Sequence, residues 1–300
     1  MYSYLALSTL ATYKGAVLAG RPGLALHRQE FLNAALEYAE SLKKPLDQDD
    51  DVLTLLHATL PLRDQFVDWL ELEVSLNSDD TALEELVVGF LEQLLPLRYP
   101  APDVTSWNDW WLDAHKIFTY EVFLYLVAIL IKAGRYEVLG QLLQTRFLLP
   151  DEARRNSSLV TYETFYAYSR VLDGRNERLK LHRLSPIADL IKERATRRAV
   201  PFKVVMQADA VLFVQTLFGE SKRWYPQMLV FAEYGVKFPF FLRAAQRRQF
   251  EKLSLIFGGG NADDLKAKVL EALPSLRGYS VLNYVDMGEL LNVEKWGVSE

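Results

Sequence analysis

Arginine side chains in the second half of the chain are the residues best suited to chemistry with a ligand. Three of them fall on one face of a predicted helix, and two others are four residues apart. Guanidinium groups suit phosphate because their planar donors match its oxygen atoms. The interleaved aromatic residues Trp224, Tyr225 and Phe240 offer faces on which bases can stack. The predicted nucleic-acid-binding residues are Arg194, Arg197, Arg198, Arg243, Arg247 and Arg248.

The same arginines also have a purely structural interpretation. Arginine at the end of a helix satisfies carbonyl groups and the helix dipole. Arg247 can pair with Glu251, one turn away on the same helix. The basic residues could also face the acidic part of the chain. The sequence therefore leaves two alternatives open, an external polyanion and the protein's own carboxylates.

Charge divides the chain into an acidic half and a basic half. The formal net charge of −5 is the sum of −10 over residues 1–150 and +5 over residues 151–300, with the positive charge mainly in 151–255. Such a division predicts either two faces with different partners or two halves that attract each other, within one chain or between subunits.

A short basic stretch carries a second kind of chemistry. Arg175, its polar neighbour Asn176 and His182 lie within eight residues. This stretch resembles the active-site motif of HEPN ribonucleases, which are helical proteins. The resemblance implies that Arg175 and His182 act without a metal on the phosphodiester of an RNA bound across a dimer. In that family the motif lies on a helix, whereas Asp173-Gly174 indicates a turn at this point.

A third group of residues is similar to a metal-dependent nuclease core. Asp209 with Glu220 and Lys222 resembles the Asp…Glu-x-Lys core of restriction-endonuclease-like enzymes. That resemblance implies that two carboxylates hold Mg²⁺ and that the lysine positions the attacking water. The family's Glu-x-Lys lies on a strand, but here it follows Gly219 and is predicted to lie in a loop.

Other common kinds of active site are missing from the sequence. The chain has no cysteine, which excludes disulfides, thiolate nucleophiles and zinc–thiolate sites. No serine lies in a Gly-x-Ser-x-Gly elbow, and no two histidines have the spacing of metal ligands. We therefore expect no metal and no cofactor. The four histidines are His27, His57, His115 and His182.

Helical periodicity dominates the chain, with apolar residues at three- and four-residue steps. Pro61 is expected to break one helix in two, and Gly134 to close another. Ala210–Phe218 and Met228–Phe231 are the only stretches that could be strands. The predicted helices cover His27–Lys43, 49–59, 62–74, 80–95, 107–133, Tyr136–Phe147, Leu159–Leu172, Pro186–Arg197, Pro201–Phe218, Phe238–Phe257, Ala262–Leu273 and Val285–Asn292.

These elements predict an all-α fold of about 11–13 helices, with few or no strands, arranged as a multi-helix bundle or as stacked helical hairpins. We expect the acidic half 1–150 and the basic half 151–300 to pack together as one continuous body. The apolar run 117–131 is shorter than a membrane span and contains Glu121, so we expect a core helix. The absence of cysteine fits an intracellular protein, although a periplasmic one could also lack cysteine. Since a signal-peptide pattern is also missing, we expect a cytoplasmic protein, and no membrane among its partners.

One further resemblance bears on function. The segments 188–194, 206–209 and 238–244 resemble parts of uncharacterised helical proteins of bacterial anti-phage defence gene clusters. That resemblance implies a partner-binding component without a catalytic motif. Together with the charge division, it predicts a non-catalytic helical binding module that contacts nucleic acid or a partner protein, or itself, through a basic surface. The alternative is a HEPN-like ribonuclease.

Overall fold

The computed structural model describes residues 2–101, 104, 106–149, 158–218, 224–233, 235–258, 261–274 and 286–299. Over these residues the chain forms thirteen α-helices and a single two-stranded sheet, which confirms the predicted all-α fold. The helices are α1 (Tyr2–Leu18), α2 (Leu24–Ser41), α3 (Asp49–Leu76), α4 (Asp80–Leu94), α5 (Asp113–Ala133), α6 (Tyr136–Gln144), α7 (Arg170–Arg178), α8 (Pro186–Arg194), α9 (Phe202–Thr216), α10 (Pro239–Arg243), α11 (Arg247–Ser254), α12 (Ala262–Ala272) and α13 (Met287–Leu291).

Helix α5 is the centre of the molecule. From Asp113 to Ile131 every residue except Lys116 is buried, because the helix is apolar on all sides and needs neighbours all round. It packs against α3, α9 and α6. The stretch Asp109–Ala133 is long and apolar enough to cross a membrane, but 94% of its most apolar window is buried, as in a core helix. Gly134 ends α5 at a φ of 74°, as the sequence predicts.

The remaining helices surround this centre. Helices α1 and α2 pair with each other, and both contact α3. Helix α9 lies against α5 and is buried from Val205 to Val214, so most of the possible strand at 210–218 is helical. The second possible strand is a 3-10 turn, Gln227–Phe231. Strands β1 (Phe147–Leu149) and β2 (Ser158–Val160) pair antiparallel beside α4. One contiguous set of buried apolar side chains runs from Ala6 to Trp296.

The expected break at Pro61 is wrong, since α3 runs through it without interruption. A proline deprives the preceding turn of a backbone donor, so carbonyl groups there need other partners. The carbonyl of Leu56 accepts hydrogen bonds from the Thr59 hydroxyl, at 2.9 Å, and from the guanidinium of Arg194. The carbonyl that loses its helical donor to Pro61 is that of residue 57. The bonds to Leu56 lie one residue earlier and fasten this turn of α3 to the end of α8.

The predicted helix Leu159–Leu172 is also wrong. The chain forms β2, a 3-10 turn at Tyr162–Phe165, and then α7. The hydroxyl of Ser169 accepts from the N–H of Leu172 at 3.2 Å and so caps a helix that begins at Arg170.

The predicted helix Phe238–Phe257 is divided into α10, α11 and a 3-10 turn at Leu255–Phe257. The chain's C-terminal segment explains the division. Gly297 N–H donates to the carbonyl of Ala244 at 2.8 Å, and Ser299 N–H donates to that of Ala245 at 3.0 Å. In a continuous helix these two carbonyls would accept hydrogen bonds from N–H groups of the same helix. Here they accept from residues 297 and 299 instead, and the helix is interrupted.

Candidate functional site

Arg194, one of the predicted nucleic-acid-binding residues, lies in the protein interior. It ends α8 and is only 4% exposed. Its Nε and Nη2 donate to Oε2 of Glu121 on α5, at 3.0 and 2.8 Å. A phosphate group has no route to this guanidinium, so its assignment as a surface contact is corrected. The sequence missed this because Glu121 lies 73 positions away.

Arg194 belongs to a buried group of three charges. Arg63 on α3 donates from Nη1 to Oε1 of Glu121 and from Nη2 to the carbonyl of Arg194, the latter at 2.7 Å. Its guanidinium carbon lies 4.7 Å from the centre of the Tyr125 ring. Burial alone would lower the pKa of Arg63, but the carboxylates of Glu121 and Asp64 outweigh burial and raise it. Arg63 also donates from Nε to Oδ1 of Asp64 at 2.8 Å, so every charge of the group is paired, and the group ties α3, α5 and α8 together.

Two further predicted contacts are half-buried and paired. Arg197 bonds to Asp68 on α3. Arg247 donates to Glu251 at 3.1 Å, the intrahelical pair that the structural interpretation predicts, and to Asp263 at 2.9 Å. The other three predicted contacts, Arg198, Arg243 and Arg248, have exposed side chains.

The ion pairs that join the two halves of the chain all run in one direction. Within the described ranges, each has its carboxylate in residues 1–150 and its guanidinium in residues 151–300. Carboxylates at the start of α3 hold α7, and others on α3 and α5 hold the end of α8 and the residues after it. Several of the opposite charges of the two halves therefore pair with each other within the molecule. These pairs are Asp50–Arg175, Asp49–Arg178, Glu121–Arg194 and Asp68–Arg197.

The structure places the two residues of the HEPN-like motif on different elements. Asp173-Gly174 is helical, not a turn, and Arg175 lies in the last turn of α7. Its Nε donates to Oδ1 of Asp50 at 2.7 Å. Helix α7 ends at Arg178, so His182 lies beyond it on an exposed loop. The arginine therefore already has a carboxylate partner, and the histidine does not share its helix.

Of the second nuclease-like group, the structure describes Asp209, which lies on α9 and is fully buried. It accepts from Trp224 Nε1 at 2.8 Å and from the N–H of Met228 at 2.7 Å, and Tyr120 lies at 3.4 Å. Burial raises its pKa to about 7, against the opposing effect of these donors. Glu220 and Lys222 lie outside the described residues. Asp209 fastens the segment 224–228 to the core.

The connection between α7 and α8 has the most unusual backbone in the described chain. We call residues Leu179–Leu184 the α7–α8 loop. Lys180 and His182 have φ values of 51° and 54°, in the left-handed region that residues other than glycine rarely adopt. Such strain persists only where the surroundings hold the backbone in place, and it is concentrated at functional sites.

Asn176 on α7 holds this backbone in place. Its Oδ1 accepts from the N–H of Arg183 at 3.0 Å, and its Nδ2 donates to the carbonyl of Arg183 at 2.9 Å. The N–H of Leu181 donates to the carbonyl of Asn176 at 3.0 Å. These three hydrogen bonds close the loop against the end of α7 and fix its shape.

The fixed loop presents apolar side chains to solvent. Leu179, Leu181 and Leu184 are 42%, 38% and 67% exposed, and they alternate with the exposed residues Lys180 and His182. Clustered exposed apolar groups on an ordered loop are typical of an interaction surface. In the sequence this stretch is distinguished by Arg175 and His182, and the exposure of its leucines is not predicted. One signal in the sequence could have revealed it. Three leucines occur within six residues, and their spacing fits neither the period of a helix nor that of a strand, so no single face of an element would bury them all.

Other ligand chemistry is not evident in the described part of the chain, where no three His, Asp or Glu side chains converge as metal ligands do. Comparison of this chain with protein-family models, curated proteins and solved structures gave no match.

Proposed function

We propose that this protein is a non-catalytic helical binding module that docks onto a partner protein through the α7–α8 loop. The observation that carries the proposal is the exposure of Leu179, Leu181 and Leu184 on a strained loop that Asn176 holds in one shape. Burying apolar surface is the main favourable contribution to most protein association. A loop that is already ordered loses little conformational entropy when it binds, so more of that contribution remains as affinity.

The charges of the loop describe the partner. From Arg178 to Ala188 the sequence has no carboxylate. Arg178 is engaged with Asp49, and Arg183 lies 3.8 Å from Asp189. Lys180 is therefore the cation best placed to meet another molecule, with the exposed imidazole of His182 two residues away. We expect an apolar protein surface bordered by carboxylates, since complementary charges guide and orient association.

A protein partner accounts for these features better than an anionic membrane or a nucleic acid does. Both of those ligands need many free cations on one face. Around this loop the cations of Arg175, Arg178 and Arg183 are matched by nearby carboxylates. The resemblance of segments 188–194 and 238–244 to proteins of defence clusters supports placing the module in a bacterial anti-phage system in the cytoplasm.

The test compares two matched variants in the cells that contain the protein. Leu181→Glu/Leu184→Glu places charge on the loop, whereas Leu7→Glu does the same at an exposed leucine on α1, which is 53% exposed. We expect a protein that co-purifies with the wild type and with Leu7→Glu to be lost from the loop variant. Equal recovery with all three chains would contradict the proposal.

Two further readouts separate this function from its alternatives. If the wild type bound anionic lipid vesicles and the loop variant did not, the ligand of the loop would be a membrane and not a protein. RNA degradation by the purified protein that disappears in His182→Ala would show that the HEPN-like alternative is right and that the module is catalytic.

Binding of a polyanion is a second candidate function, favoured by the exposure of Arg198, Arg243 and Arg248. Contacts between arginine and phosphate release counterions, so the affinity for RNA or DNA should fall steeply with salt. Replacing these three arginines with alanine should weaken binding and reduce the salt dependence. Unchanged binding would exclude them as the contact surface.

A further inference from the structure

An open groove lies between α1 and α3, away from the α7–α8 loop. It has a volume of about 410 Å³ and combines one lysine with apolar and acidic walls. Its lining residues are Lys14, Leu18, Asp68, Glu71, Leu72 and Ser75. We infer that Lys14 is a reactive amine in this groove and that it accepts acyl groups from acyl phosphates. This inference is independent of the proposed function.

The first support is the way in which Asp68 is shared. Lys14 Nζ lies 2.9 Å from Oδ2 of Asp68, and Arg197 bonds to the other oxygen, Oδ1. When Lys14 loses its proton, the carboxylate keeps its guanidinium partner. Neutral Lys14 therefore leaves no unpaired charge behind, unlike a lysine that is the sole partner of a carboxylate.

The second support is the surroundings of the amine. Burial of its stem and the charge of Arg197 lower the pKa of Lys14, while Glu71 acts in the opposite direction. Glu71 is itself 3.6 Å from Lys132. The Lys14 side chain remains 38% exposed, so a small molecule can reach it. A desolvated lysine beside another cation is a typical amine nucleophile.

The chemistry is a simple acyl transfer. The neutral amine attacks the carbonyl carbon, a C–N bond forms, and the C–O bond to phosphate breaks with its electron pair leaving on phosphate. The proton released from nitrogen passes to Asp68 or to the phosphate. Arg197 and Lys132 pair with the lining residues Asp68 and Glu71, so their positive charge lies next to the groove and favours the dianionic leaving group. The product amide is uncharged, so the Lys14–Asp68 ion pair between α1 and α3 is lost.

Lys43 provides a comparison within the same chain. Burial lowers its pKa also. However, its Nζ donates to the carbonyl of Pro96 at 2.9 Å, lies 2.7 Å from Glu40, and belongs to a side chain that is only 11% exposed. Lys43 therefore has a lowered pKa, as Lys14 has, but it does not line the open groove.

The experiment treats the full chain with acetyl phosphate at mildly alkaline pH and measures acetylation of each lysine by peptide mass spectrometry. We expect Lys14 to be acetylated several-fold faster than Lys43 and the exposed Lys180. Acetylation of Lys14 no faster than that of Lys180 would overturn the inference, and this comparison needs no variant.

The variant Arg197→Gln tests the role of the neighbouring cation. Its folding is checked by its thermal melting. We expect Lys14 acetylation by acetyl phosphate to fall several-fold, and acetylation by neutral acetic anhydride to fall less. An unchanged rate of Lys14 acetylation by acetyl phosphate would overturn the proposed role of Arg197 as the neighbouring cation.

Discussion

Glu121 is a fully buried carboxylate on the central helix, and the guanidinium groups of Arg63 and Arg194 surround it. Charges are costly to take out of water, so a buried group of this kind persists only when every member is paired. Arg194 also donates to the carbonyl of Leu56 on α3. The group therefore specifies how α3, α5 and α8 meet, and removal of Glu121 alone would leave Arg194 buried without a countercharge.

Replacing Glu121 with Gln should lower the free energy of unfolding by about 3–5 kcal/mol, because the buried Arg194 loses its carboxylate partner and Arg63 keeps only Asp64. Urea denaturation measures this loss. The matched control is Asp50→Asn, which removes the exposed partner of Arg175 and should cost less than about 1 kcal/mol. A similar small loss in both variants would show that the buried group is not what holds these helices together.

Asp209 should make stability depend on pH. Its folded-state pKa, about 7, lies above its unfolded value of roughly 3.9. Its contribution to stability is therefore fully present below the unfolded pKa and is lost as pH rises through about 7. Asp209→Asn cannot ionise, so the stability of the wild type relative to this variant should decline by a few kcal/mol over that range. A difference that stays constant with pH in denaturation experiments would contradict this.

At the scale of elements, α6 and the 3-10 turn Leu255–Phe257 approach each other closely at Gly140. A Cβ at this position would overlap the carbonyl oxygen of Leu255 and lie 2.9 Å from its carbonyl carbon. Gly140→Ala should therefore destabilise the protein by about 1–3 kcal/mol in urea denaturation. Gly89→Ala on α4 meets no atom within 4 Å and should stabilise by roughly 0.5–1 kcal/mol. Equal shifts of the same sign would refute the close approach.

The loop between α7 and α8 depends on one side chain of the element before it. Asn176→Ala removes both hydrogen bonds to Arg183 while leaving the three leucines in place. Amide hydrogen exchange at Arg183 should accelerate, and partner affinity should fall because the loop must be ordered on binding. Asn33→Ala, which removes an exposed hydrogen bond to Gln29, is the control. Unchanged exchange at Arg183 would mean that the loop holds its shape without this clamp.

At the scale of the whole molecule, local signals predicted local structure. Apolar spacing indicated the helices, Gly134 the end of α5 and Ser185 the start of α8, whose hydroxyl accepts from Ala188 N–H at 3.2 Å. The failures have long-range causes. Glu121 holds Arg194 in the interior, and residues 297–299 divide α10 from α11. Neither partner is near in sequence, so no local pattern could reveal it.

The candidate site was only partly predictable for the same reason. The sequence located Arg175 and His182 but not the carboxylate of Asp50, 125 positions away from Arg175. Leucine is apolar wherever it occurs, so the sequence does not distinguish the exposed Leu184 from a core residue. The division of charge was visible, but only the folded chain shows how much of it is matched internally.

The dissociation constant of the co-purified partner tests the docking surface most directly. Titration calorimetry with the purified partner should give a constant at least about tenfold higher for Leu181→Glu/Leu184→Glu than for the wild type, a loss of roughly 1.4 kcal/mol or more. Leu7→Glu should bind as the wild type does. Equal affinities for the loop variant and the wild type would contradict docking through the α7–α8 loop.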